Sequence, residues 1–195
     1  FYDYKDLQVN YFDQGEKVDN LGKVDGKGLE GSIQWAINDN WDLVLAAGWL
    51  DTEAFGVQAI CDGAPGPDGL PDGEEDGCEG NKLNWAPDFM ASGVLNADFP
   101  VSGGRIIGAL ETFLESERGG GYSALPWAEL DSFQEWNLRV GYESDNSWSV
   151  VAYVENLTDE LNYAGAQVNS GITPDWVVGP NRPRTAGLRV RYFFD

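Results

Sequence analysis

Histidine is absent from these 195 residues, and cysteine occurs only twice. Without an imidazole, the commonest general base is missing, and no nucleophile–base constellation replaces it. No glycine-rich phosphate loop follows a strand and opens a helix. An enzyme is therefore not expected. Two cysteines are too few for a structural zinc site. Basic residues are scarce: 12 Lys and Arg stand against 33 Asp and Glu, for a net charge of −21. There is no basic patch to meet phosphates, which argues against nucleic acid. Such a surface repels anions or collects cations. Long apolar runs are also lacking. None approaches the ~20 residues that a spanning helix needs, so a helical membrane protein is excluded. A β-barrel is not excluded, because its strands need only ~10 residues of alternating pattern. The chain opens on Phe1-Tyr-Asp-Tyr-Lys-Asp-Leu-Gln-Val, a strand pattern rather than a leader. A start in mid-strand suggests a fragment of a longer chain.

What is abundant is aromatic and small. Aromatics make up 13% of the chain, with 8 Trp, 8 Tyr and 9 Phe, alongside 25 Gly. The last strand shows how they are used. Ala186, Leu188, Val190, Tyr192 and Phe194 share one face, and Gly187, Arg189, Arg191 and Phe193 share the other. The same period of two runs from Gly28 to Ile37 and, after the turn Asn38-Asp-Asn40, from Trp41 to Trp49. It returns over Leu83–Phe99, over 105–116 (where neither face outranks the other), over Asp131–Glu143 and over Trp148–Val154. With the N-terminal stretch 1–11, eight strands are predicted. The turns 38–40, 100–104 and 145–147 are short. The connections 12–22, 55–82, 117–129 and 157–182 are long. Outer-membrane barrels sort their connections this way, with short periplasmic turns and long extracellular loops. Trp35, Trp41, Trp49, Trp136, Tyr142, Trp148 and Tyr192 fall at strand ends on the apolar face, as interfacial girdles do. The opposite faces carry Glu135, Arg139, Glu143, Glu155, Arg189 and Arg191. Cross-strand pairs between the two final arginines and the carboxylates of the two preceding strands are expected there.

Between Asp51 and Asn81 lie nine acidic residues and no Lys or Arg. Cys61 and Cys78 bracket this stretch, which favours a disulfide in an oxidising compartment. Within it, Asp68, Asp72, Glu74 and Asp76 form a loose, oxygen-rich run with glycines at the turns, a candidate calcium site. A solvated acidic loop is the competing reading. No other cofactor is required. Tyr122, Trp127, Tyr163 and Trp176, in the long loops, are candidate ligand contacts by stacking; the competing reading is loop packing. Asn156-Leu-Thr158 matches a glycosylation sequon and is read as chance.

Four stretches carry a resemblance to a known family: Phe1–Val9; Gly28-Leu-Glu-Gly-Ser-Ile-Gln-Trp35 with its turn; Asn137–Ser144 through Trp148–Glu160; and Gly179-Pro-Asn-Arg-Pro-Arg-Thr-Ala-Gly-Leu-Arg-Val-Arg-Tyr-Phe-Phe194. Together they resemble the C-terminal part of TonB-dependent outer-membrane receptors. The resemblance implies an all-β fold: a transmembrane antiparallel β-barrel, with this chain as the eight C-terminal strands of a plugged barrel of about 22 strands. It places residues 1–195 in that barrel, with the plug domain and earlier strands outside the chain. It implies import of an iron chelate, cobalamin or carbohydrate, energised by a TonB-type complex that contacts the missing N-terminal part. The implied partners are outer-membrane lipid, the barrel assembly machinery and a small ligand, in the bacterial outer membrane. Gly187, Val190, Tyr192 and Phe194 resemble the assembly signal, displaced by the extra residue Asp195.

Two other classes compete. One is a complete eight-stranded barrel with a structural, adhesive or pore role. The other is a secreted carbohydrate-binding β-sandwich. Pairing of the first strand with the last would favour the small barrel. The expectation is that they lie apart.

Overall fold

A computed structural model describes residues 2–12, 16–55, 80–83, 85–119, 129–170 and 174–194. Among them are ten strands: β1 (Tyr2–Phe12), β2 (Glu16–Asn38), β3 (Trp41–Phe55), β4 (Phe89–Val101), β5 (Gly104–Glu115), β6 (Phe133–Ser144), β7 (Trp148–Glu155), β8 (Tyr163–Ser170), β9 (Pro174–Pro180) and β10 (Thr185–Tyr192). Eight of them form one antiparallel sheet in the order β1-β2-β3-β4-β5-β6-β7-β10. β8 and β9 pair only with each other. No helix among the described residues is long and apolar enough to cross a membrane.

The register aligns every apolar stripe on one face. Leu43 stands between Trp35 and Leu95, Leu110 between Leu95 and Leu138, and Leu138 faces Val154. Val154 in turn faces Ala186. This belt remains open to its surroundings, with Ile33, Leu45, Val140, Leu188 and Val190 all exposed. Among the described residues only Val24, Ala54 and Leu130 are fully buried apolar side chains. A sandwich would bury one face against a second layer. Here there is a single wall with an apolar side and a charged side, the arrangement of a barrel between lipid and a wet lumen.

Short turns gather at one end and are stitched together. Asn38 Oδ1 accepts the N–H groups of Asn40 and Trp41 at 2.9 and 3.1 Å. Asn40 Nδ2 donates to the Asp98 carbonyl at 2.6 Å. The Tyr142 hydroxyl donates to the Gly103 carbonyl at 2.8 Å. Aromatic pairs line this rim, Trp41 with Phe99 at 5.6 Å and Tyr142 with Trp148 at 5.3 Å.

The long connections differ from expectation in three places. Residues 16–22, read as loop, continue β2 in pairing with β1, from Phe12 opposite Glu16 to Tyr2 opposite Gly26. β3 likewise runs on to Phe55, so β2 and β3 rise as a ribbon above the belt. Its sequence over 16–23 keeps neither face consistently apolar, so no alternation marked it as strand. Residues 163–180, also read as loop, contain the β8–β9 hairpin. The strand expected from Leu83 begins at Phe89, because Trp85 adopts a left-handed conformation (φ 61°) and Pro87 has no N–H to pair.

Candidate functional site

The charged face is the site. On β4, β5 and β6 its ions are paired. Arg105 reaches Glu143 at 2.6 Å and Asp98 at 2.9 Å, and Arg139 pairs with Glu111. Near the ends of β7 and β10, Arg182 lies 3.6 Å from Glu155. The two last arginines do not pair as expected. Arg189 lies over the Tyr153 ring, 6.0 Å from its centroid, and Arg191 over Phe193 at 5.9 Å. The neighbouring carboxylates are already engaged: Glu143 by Arg105, Glu155 by Arg182, and Glu135 by the Asn137 amide at 3.1 Å. Gly187 provides the room for this stacking, since a Cβ there would sit 2.4 Å from the Tyr153 hydroxyl. These groups line a cleft of about 330 Å³ on the charged face, between Glu111, Arg139, Tyr153 and Arg189.

Nearer the long-loop end the same face turns apolar. On β5, Phe113 alternates with Glu111 and Glu115 and so shares their face. Phe133 on β6 stands opposite Glu115, and the two phenyl rings approach to 5.6 Å. Met90 on β4 also stands opposite Glu115. Met90 and Phe113 overlook a hollow of about 620 Å³ floored by Ser32, Ala46, Gly48 and Ser92. Exposed aromatics inside a charged wall are costly unless something apolar covers them.

The family model described as TonB dependent receptor-like, beta-barrel matches residues 1–157. The chain belongs to this family. No curated protein sequence matches it. Solved structures do. The ferric yersiniabactin uptake receptor FyuA from Yersinia pestis is 19% identical with a TM-score of 0.74, over 98% of this chain and 26% of that one. The siderophore receptor PiuA from Acinetobacter baumannii is 15% identical with a TM-score of 0.71, over 97% and 24%. BauA, the ferric preacinetobactin receptor from Acinetobacter baumannii, is 17% identical with a TM-score of 0.63, over 95% and 25%. The chain thus spans about a quarter of the length of these structures. At such identities the likeness is one of fold.

As a TonB-dependent receptor barrel, the chain sits in the bacterial outer membrane. Its charged face is the lumen, its apolar face meets lipid, and its short turns are periplasmic. Phe113, Phe133 and Met90 therefore lie inside the barrel near its extracellular mouth. The sequence hid Phe113 because Ile106, Leu110 and Leu114 on one face of β5 are matched by Ile107 and Phe113 on the other. Only the register against β4 and β6 separates the two.

The sequence-predicted site residues are not brought together as one set. Tyr163 opens β8 opposite Pro180 and is half-buried. The backbone of Trp176 lies in β9 opposite Val168. Tyr122 and Trp127 fall outside the described residues, as do Cys61, Cys78 and the candidate calcium residues Asp68, Asp72, Glu74 and Asp76. Gly187, Val190 and Tyr192 belong to β10, with Phe194 just beyond it and its ring 4.8 Å from that of Tyr192.

A polar hub closes the extracellular ends of β6, β7 and β10. Asn156, with only 2% of its surface exposed, receives the Glu160 N–H at Oδ1 and donates to the carbonyls of Glu160 and Arg182 at 2.9 and 3.0 Å. Its own N–H goes to Asn137 Oδ1 at 2.9 Å. An amide so enclosed cannot be a glycan acceptor, which agrees with reading the sequon as chance.

Proposed function

We propose that this chain is part of the wall of an active-transport receptor that imports a scarce ligand across the outer membrane, with a ferric chelate as the ligand and TonB-supplied energy. The observation that carries this reading is the aromatic patch of Phe113 and Phe133 with Met90 on the lumen wall, beside the paired charges. A chelate offers both an apolar or aromatic periphery and polar edges, and such a wall suits both. The three similar structures are all siderophore receptors, which supports the choice of an iron chelate over cobalamin or a carbohydrate. The family supports TonB as a partner, and a plug domain in the N-terminal part of the receptor belongs to the same reading. Barrel assembly machinery acting on the β10 end, with Gly187, Val190, Tyr192 and Phe194 as its signal, belongs to the same reading, as does calcium in the 61–78 loop.

The test is uptake. The full-length receptor, expressed in an outer membrane stripped of other iron receptors, is expected to import radioiron from at least one ferric siderophore in a TonB-dependent manner. Phe113→Ala is expected to raise the half-saturating concentration about tenfold, corresponding to ~1.4 kcal/mol of lost contact. Uptake of cobalamin or an oligosaccharide instead, with none of iron, would reassign the ligand.

A further inference from the structure

We infer that Arg118 is a positioning residue that seats Tyr163, and with it the foot of the β8–β9 hairpin, against the extracellular end of β5. This rests on the transport reading above in one respect, to which it adds the sequence-based expectation that Tyr163 contacts the ligand.

Among the described residues the hairpin is a separate two-stranded sheet that joins no other strand, so its placement depends on what holds its foot. Within the foot, Asn162 and Asn181 exchange hydrogen bonds of 2.8 and 3.0 Å, which close the hairpin on itself. The hub at Asn156 ties it to β7 and to the approach to β10. From the β5 side the described residues supply one side-chain donor. Arg118 Nη2 donates to the Tyr163 carbonyl at 3.2 Å.

Arg118 is built to hold still. Its backbone N–H and carbonyl exchange hydrogen bonds with Leu130 at 3.1 and 2.7 Å. Two residues earlier, Ser116 is pinned to Phe89 by its N–H at 2.9 Å and by its hydroxyl, which accepts the Phe89 N–H at 3.1 Å. The Arg118 guanidinium pairs through Nη1 with Glu115, and both side chains are only 11% exposed. A guanidinium held on one edge by a carboxylate presents its other nitrogen in a fixed direction. That nitrogen meets Tyr163. In a nearly dry setting, losing either ion of the Arg118–Glu115 pair leaves the other uncompensated. Lysine could keep the pair with Glu115, but its compact ammonium lacks the second, rigidly offset donor.

The experiment uses the full-length receptor in detergent micelles. Hydrogen exchange is followed in wild type, Arg118→Lys and Arg118→Ala. Both variants are expected to speed exchange of the amides in 163–170 and 174–180 by about tenfold, the scale of one charged hydrogen bond. In Arg118→Lys, which keeps a cation beside Glu115, amides of β5, β6 and β7 should stay as slow as in wild type. Unchanged hairpin exchange in both variants overturns the inference. So does acceleration in Arg118→Lys spread evenly through β5 and β6, which would make Arg118 a general structural prop. Tryptophan quenching by a ferric catecholate and a ferric hydroxamate supplies the second readout. Arg118→Lys and Tyr163→Ala are each expected to weaken the bound chelate, with a double variant no weaker than Tyr163→Ala alone. Faster hairpin exchange with unaltered affinity in all three variants would uphold the tie and overturn the reading of Tyr163 as a ligand contact.

Discussion

Asn156 shows how much a single side chain carries at the lumen rim. Its φ of 49° lies in the left-handed region that asparagine tolerates better than most residues, and its amide serves three partners. Asn156→Ala strips the Arg182 carbonyl and the Glu160 N–H of this partner, while the Glu160 carbonyl keeps the Asn181 amide at 3.1 Å. The expected cost is about 2 kcal/mol, read as a lower midpoint of heat-modifiable mobility. Asn156→Gly keeps the backbone but not the bonds, so it should recover only a minor part. Gly187 makes a different point. Adding a methyl there pushes the Tyr153 ring off β10 and removes the surface on which Arg189 rests. Gly187→Ala is expected to destabilise the barrel, and Tyr153→Ala should be far less sensitive to it. A double-mutant cycle that gives simple additivity would refute this coupling. On the exposed ribbon, Lys23 donates to Asp25 at 2.6 Å, and that hydrogen bond raises the lysine pKa above its ordinary 10.5. A raised lysine pKa adds stability that is complete below the ordinary value and disappears as pH climbs through the raised one. Amide protection in residues 22–26, corrected for intrinsic exchange, should therefore be flat near neutrality and fall only above about pH 10.5. Lys23→Met should abolish that fall.

Strand alternation made the lipid belt legible. Trp41 to Trp49, Trp136 to Tyr142 and Leu188 to Tyr192 each announce one apolar face, and the register confirms all three. Legibility ends where water or protein lies on both sides. The ribbon beyond the belt, with its Lys17-Val-Asp-Asn-Leu-Gly-Lys23 sequence, mixes charged or polar with apolar residues on both alternating sets and so offers no stripe to read. In β5 both faces carry large apolar residues, and the side of Phe113 is fixed only by its neighbours. Pairing partners of arginines are a further step away, because they depend on which carboxylates remain free after Arg105 and Arg139 have taken theirs. The assignment of faces in β5 can be tested directly. Leu110 lies mid-belt on the lipid side, between Leu95 and Leu138. Leu110→Arg is expected to cost about 2–4 kcal/mol, as charges do at the bilayer midplane. Ile107 lies on the lumen side opposite Asp98, so Ile107→Arg should be nearly neutral. Equal effects of the two in reversible unfolding from micelles would mean the faces are misassigned.

At the scale of the whole molecule, strand direction decides how the wall is completed. Seven strands cross the belt: β2, β3, β4, β5, β6, β7 and β10, each antiparallel to the next. An odd number of alternating strands leaves both edges pointing the same way, so β2 and β10 cannot meet in an antiparallel ladder. β1 has the right direction to stand between them, but it pairs with β2 only over Glu16–Gly26, above the belt. Along the belt itself the edge of β2 is open, with Leu29 at 78% exposure, and so is that of β10, with Leu188 at 66%. Open strand edges do not persist in hydrocarbon, where each unpaired N–H or carbonyl costs several kcal/mol. Among the described residues nothing pairs with these two edges along the belt, so the larger-barrel reading expects further strands between β10 and β2. The prediction is that residues 1–195 alone, refolded in micelles, will not form an SDS-resistant, heat-modifiable monomer, whereas the full-length receptor will. Cysteine pairs give the positive counterpart. Val190→Cys combined with Ile33→Cys should not cross-link in the full-length protein with a short bismaleimide, since strands spaced about 4.8 Å apart lie between them. A rapid cross-link within one molecule would bring the two edges together and restore the small-barrel reading.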